Sequence, residues 1–126
     1  MAKNKRISRL NEQPRPAITE ETLTQISHRI VQAIGPRKVV LFGSYAYGKP
    51  HQDSDIDLLI IVDHVDDGER PVQRSRRVRI AVDEPNIPMD IMVRSAAEIQ
   101  SRLELGDFFI ADILNKGRVL YEHVSV

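Results

Sequence analysis

The sequence predicts an α+β domain, a small mixed β-sheet flanked by helices, and three observations carry that prediction. Short apolar runs of strand type alternate with segments whose apolar residues recur every three or four positions. The 126 residues suffice for one packed core but not for two. The stretch Gly43 to Ile60, GSYAYGKPHQDSDIDLLI, sets a Gly-Ser turn ahead of two aspartates that open an unbroken apolar run.

Residues 1–17 carry Lys3, Lys5, Arg6, Arg9 and Arg15 with few apolar anchors, which predicts a flexible basic tail ahead of a domain over 18–126. Thr19 is placed to cap a helix, with Glu20 and Glu21 favourable in its first turn. Leu23, Ile26, Ile30 and Ile34 give that helix one apolar stripe, and Gly35-Pro36 ends it. His28 lies off the stripe and reads as a surface residue. Val39 to Phe42 reads as a strand that turns at Gly43-Ser44 into a short helical segment.

Asp55 to Val62 reads as the central strand, and Pro71 suits the first turn of a helix that runs to about Val82, with Val72, Val78 and Val82 as a weak apolar stripe. Arg70, Arg74, Arg76, Arg77 and Arg79 are expected on a solvated helix face, with docking of RNA or an acidic protein surface as the second reading. Met89 to Val93 reads as a further strand, with Met89, Ile91 and Val93 on one face and Asp90 and Met92 on the other. Ser95 and Glu98 fit a capping box for a third helix with Ile99 and Leu103 inward. Phe108 to Leu114 reads as a short apolar helix closed by Gly117, and Arg118 to Glu122 as a last short strand.

The chemistry concentrates at the two turns. Asp55 and Asp57 sit two apart at a strand mouth and so share a face. Like carboxylates side by side resist joint ionisation, and a hard cation such as Mg²⁺ relieves that cost. If the Met89 strand lies beside this one, Asp90 joins them, and three convergent carboxylates suit a two-metal centre. Backbone N–H groups and the Ser44 hydroxyl at the Gly43-Ser44 turn are suited to phosphate, and Lys49 and His51 lie in the following loop.

Formal net charge is zero, so global charge gives no ground for direct nucleic-acid binding. The absence of Cys excludes disulfides and thiolate metal sites and fits a cytoplasmic location. No apolar run approaches the roughly 20 residues of a membrane span, and the basic N-terminus lacks the apolar core of a signal peptide.

Gly43-Ser44, the spacing to Ser54-Asp55-Ile56-Asp57 and then Asp90 resemble the DNA polymerase β-type nucleotidyltransferase superfamily. The short chain is most similar to the minimal nucleotidyltransferases, which include the antitoxin partners of HEPN-domain ribonuclease toxins. The resemblance covers roughly Val39 to Glu122 and implies a polymerase β-type palm. It further implies that Gly43, Ser44, Lys49 and Ser54 bind the nucleotide. Asp55, Asp57 and Asp90 would be the catalytic residues and the ligands of two Mg²⁺ ions. ATP would be the substrate, and AMP would pass to a tyrosine hydroxyl of a HEPN toxin. The chain departs from the branch at Tyr47, where Arg is often found, which removes a phosphate contact or leaves it to Lys49. An antitoxin that acts by binding alone and a small-molecule nucleotidyltransferase of the aminoglycoside-modifying type are the alternatives. A homo- or hetero-oligomer is compatible with each.

Overall fold

The computed structural model describes residues 17–51 and 53–124, so the basic tail expected over 1–17 lies outside the described residues but for Ala17. The elements follow in the order α1 (Glu20–Ile34), β1 (Lys38–Phe42), β2 (Ile56–Val62), α2 (Pro71–Val82), β3 (Met89–Ser95), α3 (Ala96–Glu104), α4 (Phe108–Lys116) and β4 (Arg118–Glu122). The strands form one mixed sheet in the order β3-β2-β1-β4. β1 runs antiparallel to β2 and β4, and β2 runs parallel to β3. This is the predicted α+β architecture.

Side-chain alternation along the strands gives the single domain one buried apolar layer on each face of its sheet. Ile56, Leu58 and Ile60 of β2 pack with Val39 and Leu41 against Leu23, Ile26 and Ile30 of α1 and Val78 and Val82 of α2. Leu59 and Ile61 pack with Val40 and Phe42 against Ile99 of α3 and Ile110 and Ile113 of α4. β2 is therefore covered on both faces, which is why its sequence is an apolar run interrupted only by Asp57 near its start.

The helix ends obey local rules. Thr19 Oγ1 accepts the N–H of Thr22 at 3.1 Å, and left-handed Gly35 donates its N–H to Val31 at 2.9 Å. Ser95 and Glu98 form the expected capping box, Glu98 N–H to Ser95 Oγ at 3.1 Å and Ser95 N–H to Glu98 Oε1 at 2.8 Å. Gly117 is required for space: a Cβ there would stand 2.4 Å from the Ile113 carbonyl oxygen and 2.5 Å from Val40 Cγ1.

Three expectations are corrected. The arginines of α2 do not all sit on a solvated face. Arg74 is 5% exposed, because it continues the core-facing row Arg74, Val78, Val82. It donates to Val93 O at 3.0 Å and to Glu98 Oε1 at 2.8 Å, which offsets the cost of burying its charge. Val72, assigned to the apolar stripe, points outward and is 66% exposed. Leu103, expected inward, is 39% exposed, because α3 ends one residue later and only Ile99 reaches the core.

Candidate active site

The site lies where β1 ends and β2 and β3 begin. Phe42 pairs with Asp57 across the β1–β2 ladder, and Asp57 pairs with Asp90 across the β2–β3 ladder. Neighbouring strands stand about 4.8 Å apart, so the Asp57 and Asp90 carboxylates are flush on the face they share. The Ile56 N–H donates to the Pro88 carbonyl at 3.0 Å and pins the two strand starts together. Asp55 is exposed one residue ahead of β2.

Gly43 follows Phe42 at φ +72°, a left-handed value that suits glycine. A Cβ there would lie 2.2 Å from Asp57 Oδ2. Bare backbone therefore abuts the carboxylate, and glycine is needed both for conformation and for space. The chain then makes a single turn closed by Ala46 and Tyr47 N–H to Gly43 O, at 3.0 and 3.1 Å, and by Lys49 N–H to Ser44 O at 3.1 Å. The expected helical segment is no more than this turn, because left-handed glycines at 43 and 48 bound it on both sides.

Burial pushes the Asp57 carboxyl up to about 6, with the negative charges of Asp90 and then Asp55 adding to the effect. Asp57 thus feels both neighbouring carboxylates, a like-charge cost of the kind anticipated from their spacing. Among the described residues no three His, Cys, Asp or Glu side chains form a ready-made ligand cage. Mg²⁺ does not require one, since it takes one or two carboxylates and completes its shell with water and substrate phosphates. The hard-oxygen donor set at Asp57, Asp90 and Asp55, next to a backbone with no side chain in the way, fits such an ion.

The other residues singled out in the sequence occupy the rim. Ser44 is partly buried within the turn, and Lys49 is exposed in the loop beyond it. Ser54 is buried, accepts the His51 N–H at 2.8 Å and donates its own N–H to His51 O at 2.9 Å, so it closes the turn that delivers Asp55. A brace escaped the sequence reading. Phe109 of α4 meets Phe42 edge to face, with centroids 5.8 Å apart, and so supports the strand end that carries Gly43. The Phe108-Phe109 pair was its only signal.

Solved structures share this architecture. A Sulfolobus solfataricus protein assigned as a nucleotidyltransferase aligns with TM-score 0.56 and 18% identity, over 82% of this chain and 79% of that one. A toxin–antitoxin crystallised with AMP-PNP aligns with TM-score 0.55 and 19% identity, over 80% of this chain and 73% of its own. A variant of the toxin–antitoxin MntA–HpeT aligns with TM-score 0.52 and 16% identity, over the same shares. No curated protein matches the chain. The sequence profile of the family described as "Nucleotidyltransferase domain" matches residues 23–120, a span that contains β1, β2, β3 and all three aspartates. With the Gly-Ser turn set against paired carboxylates within that span, the chain belongs to the nucleotidyltransferase domain family.

Proposed function

We propose that the chain transfers AMP from ATP to a hydroxyl of a partner protein, a tyrosine of a HEPN-type ribonuclease toxin, and thereby acts as its antitoxin. The observation that carries this reading is the pairing of Asp57 with Asp90 beside the bare backbone of Gly43. Further support comes from the fold shared with a toxin–antitoxin bound to AMP-PNP, and with an MntA–HpeT variant in which two aspartates two positions apart are changed to glutamate.

In this reading Asp55, Asp57 and Asp90 hold two Mg²⁺ ions. When bound, Mg²⁺ neutralises phosphate charge and lowers the pKa of the acceptor hydroxyl. Gly43 admits the triphosphate close to the main chain, and Ser44 and Lys49 contact its oxygens, while Ser54 shapes the loop that presents Asp55. The acceptor oxygen forms a bond to the α-phosphorus as the bond to the β-bridging oxygen breaks. Pyrophosphate leaves, and the hydroxyl proton passes to solvent beside exposed Asp90. The added AMP blocks the toxin's RNA site by bulk and negative charge. No described helix is long and apolar enough to cross a membrane, and the reading places the reaction in the cytoplasm.

The test is incubation of the chain with the protein of the neighbouring gene, Mg²⁺ and ATP labelled at the α-phosphate. Label should enter the partner, and Asp57→Ala should abolish it; undiminished labelling by that variant removes the assignment of the site. Neutralisation by binding alone is the second reading, favoured by the exposed Leu105 and Phe108, which are 78% and 88% accessible.

A further inference from the structure

A groove of about 590 Å³ runs between α2 and the outer edge of β3, and Asp90 stands in its wall. On α2, Val72, Arg76, Arg79 and Ile80 recur at steps of three and four, a second stripe turned away from the core. Val72 and Ile80 are 66% and 71% exposed.

Beside this groove, side chains cap carbonyls on both sides of Met89 along the outer edge of β3. The Ile56 N–H reaches Pro88 O, so even-numbered residues of β3 turn their backbone groups to β2 and odd-numbered ones to the free edge. Side chains cap two of those outward carbonyls, Ser75 reaching Ile91 O at 2.6 Å and Arg74 reaching Val93 O at 3.0 Å, and Arg79 caps Ile87 O, just ahead of the strand, at 2.6 Å. Capping of this kind blocks strand addition. Among the described residues nothing caps Met89, which lies in the groove next to Asp90. On the helix side of the groove the charge is one-sided as well. α2 contains no Asp or Glu, and Arg76 has no carboxylate partner among the described residues, whereas Arg77 is paired with Glu69 and Arg74 with Glu98.

We propose that this groove binds the acceptor segment of the partner protein, an extended acidic peptide that pairs with β3 at Met89 and brings its hydroxyl to Asp90. The inference rests on the protein-transfer reading above. An uncapped backbone edge selects a peptide strand, Val72 and Ile80 receive apolar side chains, and Arg76 and Arg79 face its carboxylates. Single-stranded RNA is the weaker fit: the groove is floored by aliphatic residues and offers no aromatic ring on which a base would stack.

Amide shifts of the ¹⁵N-labelled chain provide the test. The probe is a capped peptide of alternating Glu and Val around a central Tyr, compared with the same peptide carrying Lys for Glu and with a short oligouridine. The Glu peptide should shift Met89 and Ile91 saturably and bind at least about tenfold tighter than the Lys peptide. Ile80→Asp should weaken it by about tenfold or more, and Arg76→Glu should erase the charge preference. Both side chains are exposed, and the spectrum itself reports whether each variant folds. Absence of saturable shifts, shifts centred elsewhere, equal binding of the Lys peptide, or the same shifts with oligouridine would each overturn the proposal. Docking is read without turnover, so a chain that docks the Glu peptide yet transfers no AMP counts against the transfer reading and not against the groove. A chain that transfers AMP yet fails to dock does the reverse.

Discussion

Gly43→Ala separates the two demands placed on that residue. The first is backbone strain: an L side chain at φ +72° costs about 1–2 kcal/mol. The second is contact, since the new Cβ would lie 2.2 Å from Asp57 Oδ2 and the carboxylate must leave its place. Rotating it off its preferred angle adds about 0.5–1.5 kcal/mol. Gly48 is the matched control, with φ +77° and nothing within 4 Å of its Cβ position. Gly48→Ala should therefore lose about 1–2 kcal/mol in denaturant unfolding, and Gly43→Ala about 1.5–3.5 kcal/mol. Only Gly43→Ala should also lose AMP transfer, by a factor of about a hundred or more, because a misplaced reacting geometry is costly. Asp57→Ala made on the Gly43→Ala background should recover the difference in stability but not the transfer. Equal stability and equal transfer in the two alanine variants would refute the claim that Gly43 is there to make room for Asp57.

Other outcomes follow from the same geometry. The metal-free chain should lose stability as pH rises from about 4 through about 6, since the folded Asp57 carboxyl holds its proton more tightly than the unfolded one. The full shift is discounted to about 1 kcal/mol for partial exposure. Asp57→Asn should flatten that slope in urea titrations across pH, and millimolar Mg²⁺ should oppose the loss in the wild type. Gly117→Ala should cost about 1–3 kcal/mol, measured as a lowered Tm, because the methyl group meets the Ile113 carbonyl and Val40. Asp55→Ala with Asp57→Ala should leave the chain folded and able to bind its partner yet unable to protect cells from it; protection by the double variant would favour neutralisation by binding alone.

Local rules made α1 legible, because its cap, stripe and terminal glycine all lie within the 17 residues from Thr19 to Gly35. The convergence of Asp57 and Asp90 was legible too, since an acidic residue in each of two apolar strands at period two has one economical arrangement, side by side. Arg74 was not legible. Its burial depends on a carboxylate 24 residues further along the chain and on a carbonyl of β3, and neither leaves a mark on the sequence of α2. The Phe42–Phe109 brace and the uncapped edge at Met89 are likewise products of packing between distant segments. The closeness of Gly43 to Asp57 came from register: a glycine after a strand announces a turn, but only the pairing of Phe42 with Asp57 says what the turn must clear.

The most direct measurement is the intact mass of the neighbouring-gene product after co-expression with the wild-type chain and with Asp57→Ala. A gain of one or more AMP units that requires Asp57 is the predicted result. An unmodified partner recovered in a stable complex with the wild-type chain would contradict transfer and leave binding as the chain's activity.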